Sequence, residues 1–260
     1  MKIDRKKAQQ AFAEYVACYD VSNKMIKLKI DHTYRVCALC EQIAKRSGYD
    51  DTEIEIAWLL GLLHDIGRFE QVRQYDTFMD AQSVDHAKLG VSILFHERKI
   101  RNFIEECTQD SLIEHVIGCH SAYRVPAEYS EREKKFANLL RDADKIDIIK
   151  VNSMIPFEQI YHISERELRD CVVSEEVMQA FWEEHAVLRS LKKTPVDNIV
   201  GHISLVYELV YPVSYQILYQ QNCLEKIMDF RSELSETNEQ FEKIRTKMKA
   251  YIAKKIEEGA

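Results

Sequence analysis

His64 and Asp65 stand side by side in the run Leu62-Leu63-His64-Asp65-Ile66-Gly67-Arg68. Both are strong metal ligands, and packing calls for neither at the end of an apolar helix. An ionised Asp in an interior costs several kcal/mol unless a cation or hydrogen bonds compensate it. Four more candidate ligands occupy single, well-separated positions: His32, His86, His120 and Asp144. Mixed imidazole and carboxylate donors suit Fe, Mn, Co, Ni or Zn. A metal centre gathered from several helices points to hydrolytic chemistry.

The elements that must position these residues follow from periodicity. His32 lies on the stripe Met25, Leu28, His32, Val36, Leu39 and Ile43, a helical spacing that turns it inward. His86 shares a face with Leu89, Gly90, Ile93 and Leu94, and His120 follows Val116 and Ile117. His115 competes with His120 for the role. Taken singly, an inward His is more often a hydrogen-bonded core residue than a ligand. Gly67 predicts a helix end just past the doublet. Asp144 sits at the edge of the face formed by Phe136, Leu140 and Ala143, and Asp147 lies closer to its centre. Periodicity admits either acid. Six inward imidazoles and carboxylates on separate helices are improbable as independent accidents.

Apolar positions recur at three and four almost throughout the 260 residues, and Gly (7) and Pro (4) are scarce. The fold class expected is all-α. Helices are predicted at about 5–18, 23–47, 52–66, 84–96, 99–106, 111–121, 131–152, 174–192, 196–228 and 232–257. Asp20 or Ser22 is expected to cap the second, and Asp51 or Thr52 the third. Residues 68–83 read as a polar loop, and Pro212 as a kink or stop. The candidate ligands end before residue 150. The expected organisation is therefore a core over 20–155, an N-terminal helix within 1–19 packed on it, and a C-terminal helical extension over 156–260. His162, His185 and His202 in that extension read as surface or lightly packed residues.

The net charge of −7 argues against a general nucleic-acid surface. No apolar run is long enough to span a membrane, and no signal peptide is evident. The seven Cys are odd in number and irregularly spaced, as reduced thiols of a cytoplasmic protein would be. Cys37 and Cys40 read as packing residues in mid-helix.

The segments Asp31-His32-Thr33-Tyr34-Arg35-Val36, Leu62-Leu63-His64-Asp65-Ile66-Gly67, Asp85-His86-Ala87-Lys88-Leu89-Gly90, Gly118-Cys119-His120-Ser121 and Ala143-Asp144-Lys145-Ile146-Asp147 together resemble the HD-domain superfamily of helical metal-dependent phosphohydrolases. The resemblance covers about residues 20–150 and implies an HD-domain helical bundle. It selects Asp144 over Asp147, because the family's last ligand is the Asp of an Ala-Asp-Lys-like triplet. The minimal mononuclear site would be His32, His64, Asp65 and Asp144. The presence of His86 and His120 resembles the dinuclear branch, with Asp65 bridging two metal ions. That branch includes the bacterial HD-domain diadenosine tetraphosphatases, whose motif order the chain follows most closely. The extended signature of cyclic-di-GMP phosphodiesterases, the acidic pair of alarmone hydrolases and the longer motif of deoxynucleoside triphosphohydrolases are missing.

The resemblance implies a metal-activated water attacking a phosphoester or phosphoanhydride of a nucleotide-like substrate. Asp65 and Arg68 are the expected catalytic residues. Arg68, Lys88, Arg124 and Lys145 are the expected phosphate contacts, and Arg35 pairs with Asp31 or is structural. Competing readings are a mononuclear nucleoside monophosphate phosphatase, a nucleotide-sensing module without turnover, and a helical scaffold. The helices from Thr194 onward would serve self-association.

Overall fold

The computed structural model describes residues 3–157, 160 and 163–259, and every regular element among them is helical. The chain divides into two compact units, residues 1–143 and 144–260. The boundary falls within one long helix, just before Asp144.

The first unit is built around a helix that is buried on all sides. Helix α3 (Asp51–Leu63) buries every residue from Ile56 to Leu63, as expected of an apolar helix at the centre of a core. Asp50, rather than Asp51 or Thr52, caps it by accepting from the Glu53 amide. Helix α2 (Lys24–Arg46) packs along α3 and buries the inward stripe that carries His32. Its cap is Asn23, which accepts from the Met25 amide, while Asp20 holds the preceding turn through Ser22. The two helices meet backbone to backbone at Gly61. A Cβ there would lie 2.8 Å from Cys37 Cα. Helix α1 (Arg5–Val16) packs on this unit through Ala8, Phe12 and Val16.

α3 ends before the doublet, not beyond it. His64 is its C-cap, and Asp65 precedes a new helix, α4 (Ile66–Tyr75). The expected loop 68–83 is thus helical over half its length. Its charged residues hid this, because one of the partners that bury Glu70 is distant in sequence: Glu70 accepts from Tyr19 as well as from its neighbours Arg73 and Gln74. Gly67 is the second residue of α4 and permits close contact with α5 (His86–Val91). A Cβ on Gly67 would overlap the His86 carbonyl oxygen and come within 2.6 Å of the Gly90 nitrogen. Asp85 caps α5 by accepting from the Ala87 and Lys88 amides, which fixes His86 in the first turn. A π turn (Ser92–His96) follows, then α6 (Ile100–Phe103) and α7 (Asp110–Cys119). Helix α8 (Glu131–Asn152) begins in this unit. Its Arg141 donates to the carbonyls of His120, Ala122 and Tyr123, closing the open end of α7.

The second unit contains α9 (Glu165–Arg169), α10 (Glu175–Trp182), α11 (Asp197–Ile203), α12 (Pro212–Gln221), α13 (Cys223–Met228) and α14 (Ser235–Glu258). The helix predicted over 174–192 stops at Trp182, and Glu184 adopts φ 61° just beyond. The helix predicted over 196–228 is broken. Pro212 starts α12 rather than kinking a longer helix, as its missing amide and fixed φ favour at a first turn. Asn222, at φ 53°, separates α12 from α13. Buried Asp197 ties α11 to the α10 cap through Ser174, and it also accepts from the Lys193 and Thr194 amides.

None of the seven cysteines forms a disulfide, and Cys37 and Cys40 are buried in α2. Burial pushes the Cys37 thiol well above its usual range, in keeping with a packing role. Among the described residues no helix is long and apolar enough to cross a membrane.

The α4–α5 contact gives a direct check. Gly67→Ala should destabilise the fold by about 3 kcal/mol, because the added methyl meets backbone that cannot rotate away. Gly118→Ala, whose Cβ would make ordinary 3.4 Å contact with Val91, should stay within about 1 kcal/mol of the parent. Denaturant midpoints of the two variants measure the difference.

Candidate metal centre

The helix junction at His64-Asp65 decides the geometry. Asp65 occupies the N-cap of α4 with φ −102° and ψ 17°, yet its side chain makes no capping bond. An Asp at that position ordinarily accepts from an amide of the first turn. Here both oxygens turn instead toward histidines. Oδ2 lies 3.4 Å from His32 Nε2 and 3.4 Å from His64 Nε2, and these nitrogens are 3.2 Å apart. Oδ1 lies 3.5 Å from His86 Nε2 and 3.7 Å from His120 Nε2, which are 3.0 Å apart. One carboxylate therefore completes two triangles of donor atoms, His32–His64–Asp65 and Asp65–His86–His120, all five residues buried.

The opposite edges of three rings are tied down. His64 Nδ1 is 2.8 Å from the Gly61 carbonyl, and His120 Nδ1 is 2.7 Å from the Ile117 carbonyl. A carbonyl only accepts, so both Nδ1 atoms carry a proton and both Nε2 atoms face the centre. His86 Nδ1 donates to Asp80 Oδ2 at 2.7 Å, which fixes that ring the same way. Burial, outweighing Asp80, holds His86 down to about 4, so its Nε2 is a bare donor. The His86 and His120 Nε2 atoms stand 3.0 Å apart, close enough to serve one cation.

The donor set fits metal ions. At bond lengths of ~2.0–2.2 Å, neighbouring ligand atoms around one ion stand about 2.8–3.6 Å apart in octahedral or tetrahedral arrangements. The first triangle lies in that range, and the second exceeds it only on the edge from Asp65 Oδ1 to His120 Nε2, at 3.7 Å. Burial opposes the charge on Asp65, but Lys29, His64, His120 and His32 together hold its pKa well below the usual carboxylate range. It is an anion faced by four imidazoles.

Three residues at this centre escaped the sequence reading. Lys29 Nζ donates to Asp65 Oδ2 at 2.6 Å. Its signal was present: it precedes His32 by three residues, so it shares the inward face of α2. Asp80, in a single 3-10 turn (Asp80–Gln82), backs His86 and also accepts from Arg68 Nη1 at 2.7 Å and Gln71 at 2.9 Å. No periodicity runs through that turn, so nothing in the sequence marked Asp80. Phe78 lies under both Lys29 and Arg68, with its ring centroid 5.3 and 5.7 Å from their charged groups.

Arg68 is engaged rather than free to swing. Its Nη1 donates to Gln71, to the Phe78 carbonyl and to Asp80, while Nε has no hydrogen-bond partner and stands 3.7 Å from Asp65 Oδ1. Lys88 is exposed and pairs loosely with Asp85 at 3.5 Å. Arg124 lies over the Tyr123 ring. Arg35 is half-buried and Asp31 exposed on α2. His115 is exposed, stacked on Tyr129 and bonded to Glu133, so it takes no part in the centre. Asp144 opens the second unit half-buried, with Lys145 and Asp147 buried beside it on α8. His185 pairs with Glu183, and burial pushes half-buried His202 down to about 3. His162 lies outside the described residues.

Residues 30–149 match the family model of the HD domain. The match spans His32, His64, Asp65, His86, His120 and Asp144. No match to the chain was found among curated proteins or among solved structures.

Outer partners of ligating histidines ordinarily set metal affinity. Asp80→Asn removes the charge behind His86 and should weaken metal binding to the donors around His86 about 10–100-fold. Chelator competition reads this directly. Unchanged affinity would show that Asp80 serves only the loop.

Proposed function

We propose that the protein is a metal-dependent phosphohydrolase whose centre holds two divalent transition-metal ions and cleaves a phosphoester or phosphoanhydride of a nucleotide-like substrate. The observation that carries this is the position of Asp65. Each of its oxygens faces its own pair of imidazole Nε2 atoms. His32 and His64 would hold one ion, His86 and His120 the other, and Asp65 would bridge them. Asp144 is proposed as the remaining ligand, on the strength of the Ala-Asp-Lys triplet.

Bound divalent cations supply Lewis acidity, which makes a water nucleophilic near neutral pH and neutralises phosphoryl charge. The protein's own residues supply orientation. The Gly61 and Ile117 carbonyls and Asp80 hold three imidazoles with their lone pairs inward, so no reorganisation is needed when a ligand arrives. Burial of all five donors keeps bulk water from screening the site. Arg68 contributes a fixed positive charge beside Asp65 Oδ1, held in place by Asp80 and the Phe78 carbonyl. That anchoring supports a stationary electrostatic role for Arg68 in place of the mobile clamp expected from the sequence. The presence of His86 and His120 in the same buried centre favours the dinuclear reading over a mononuclear phosphatase. The motif order supports diadenosine tetraphosphate-like substrates first among nucleotides.

Protein loaded with Mn, Fe, Co or Ni should bind two equivalents and hydrolyse members of a broad nucleotide panel. Asp65→Ala should lose both equivalents and lower turnover by about 10³-fold or more. Metal content by elemental analysis and phosphate release are the two measurements. Metal-loaded protein that binds nucleotides without releasing phosphate would replace the enzyme with a sensor.

A further inference from the structure

Lys29 is the one group of the centre that neither the ligand set nor the hydrolytic scheme uses. Its ammonium lies against Asp65 Oδ2, the oxygen that also faces His32 and His64. The side chain is 15% exposed, against 3% for Asp65, so Lys29 stands at the rim while the carboxylate lies inside. An ammonium has three protons, and Asp65 is its sole hydrogen-bond acceptor among the described residues. The Phe78 ring borders it on another side at 5.3 Å. Two donor protons are therefore left for something that enters from solvent.

Charge identifies what that is. The five donors carry one negative charge, on Asp65, because the imidazoles ligate as neutral rings. Lys29 and Arg68 already place two positive charges next to that carboxylate. Two divalent cations would leave this pocket strongly positive, even with the carboxylate of Asp80 added to the count. A lysine kept there for metal binding alone would work against loading. A multiply charged anion makes its presence favourable.

Resting on the dinuclear reading above, we infer that Lys29 is a substrate-binding residue whose ammonium takes a non-bridging oxygen of the phosphoryl group being cleaved. In the absence of substrate it rests on Asp65. The alternative role for a lysine on a bridging carboxylate is to orient it, and the two make opposite demands on metal affinity. Removing an orienting donor weakens metal binding, whereas removing a competing positive charge leaves it unchanged or tightens it.

The test compares the parent protein with Lys29→Met, which keeps the aliphatic stem, using chelator competition for Mn and calorimetric titration of the metal-loaded proteins with inorganic phosphate. Lys29→Met should keep two metal equivalents at equal or tighter affinity and bind phosphate at least about 10-fold more weakly. Lys29→Arg should recover part of the loss. Lys29→Gln provides the same readout if Met disturbs the fold by circular dichroism. Metal affinity lowered 10-fold or more with phosphate binding intact would make Lys29 a positioning residue for Asp65 and overturn the inference. Phosphate binding unchanged in both variants would overturn it as well. Failure of the parent protein to bind metal would instead remove the dinuclear reading, and the role of Lys29 with it.

Discussion

The ionised carboxylate of Asp65, 2% exposed, is the constraint on which the rest of the first unit depends. Burying such a charge without compensation costs on the order of several kcal/mol, so the fold must bring partners to it. It does so from separate elements: His32 and Lys29 from α2, His64 from the end of α3, His86 and Arg68 from α5 and α4, and His120 from the end of α7. The carboxylate is available to them because α3 stops one residue earlier and because Asp65 does not cap α4. Two glycines make the approach possible. Gly61 lets α2 and α3 touch through backbone, and Gly67 does the same for α4 and α5. A side chain at either would push a histidine-bearing helix outward by more than a ligand bond tolerates.

Orientation of the imidazoles is a backbone property as much as a side-chain one. His64 and His120 both sit at helix C-caps and both donate to the carbonyl three residues earlier. Carbonyls at a helix end lack intrahelical partners, so a C-terminal histidine satisfies one while turning its other nitrogen into the cavity. His86 follows a different rule. It lies in the first turn of α5, where no free carbonyl is at hand, and Asp80 takes that place. The same Asp80 fastens Arg68, so the segment leading into α5 couples one metal-facing ring to one fixed cation. Lys29, by contrast, has a single acceptor among the described residues and a place at the rim.

Much of this was legible in the chain. Three-and-four periodicity is a local consequence of burying one helix face, and it located most helices of the first unit and the inward stripe through His32. The cost of a buried Asp and the joint improbability of six inward imidazoles and carboxylates singled out the candidate ligands from the sequence. Local pattern failed where polar residues find distant partners, as Glu70 does in α4, or where successive helices continue one apolar period, as α11, α12 and α13 do across 197–228. Lys29 carried a readable sign, an ammonium on the buried face of α2, whereas Asp80 in its short turn carried none.

By itself the sequence determined the helical class, the HD-domain resemblance and the residues able to ligate, because residue type and helical period are local properties. Tertiary structure decided which oxygen of Asp65 meets which histidines, how each imidazole is turned, how Arg68 is anchored, and that Lys29 and Asp80 belong to the same centre. Those facts depend on where separate helices cross and end, and a chain spacing of 36 residues between Lys29 and Asp65 becomes a 2.6 Å contact only once α2 and α3 are packed.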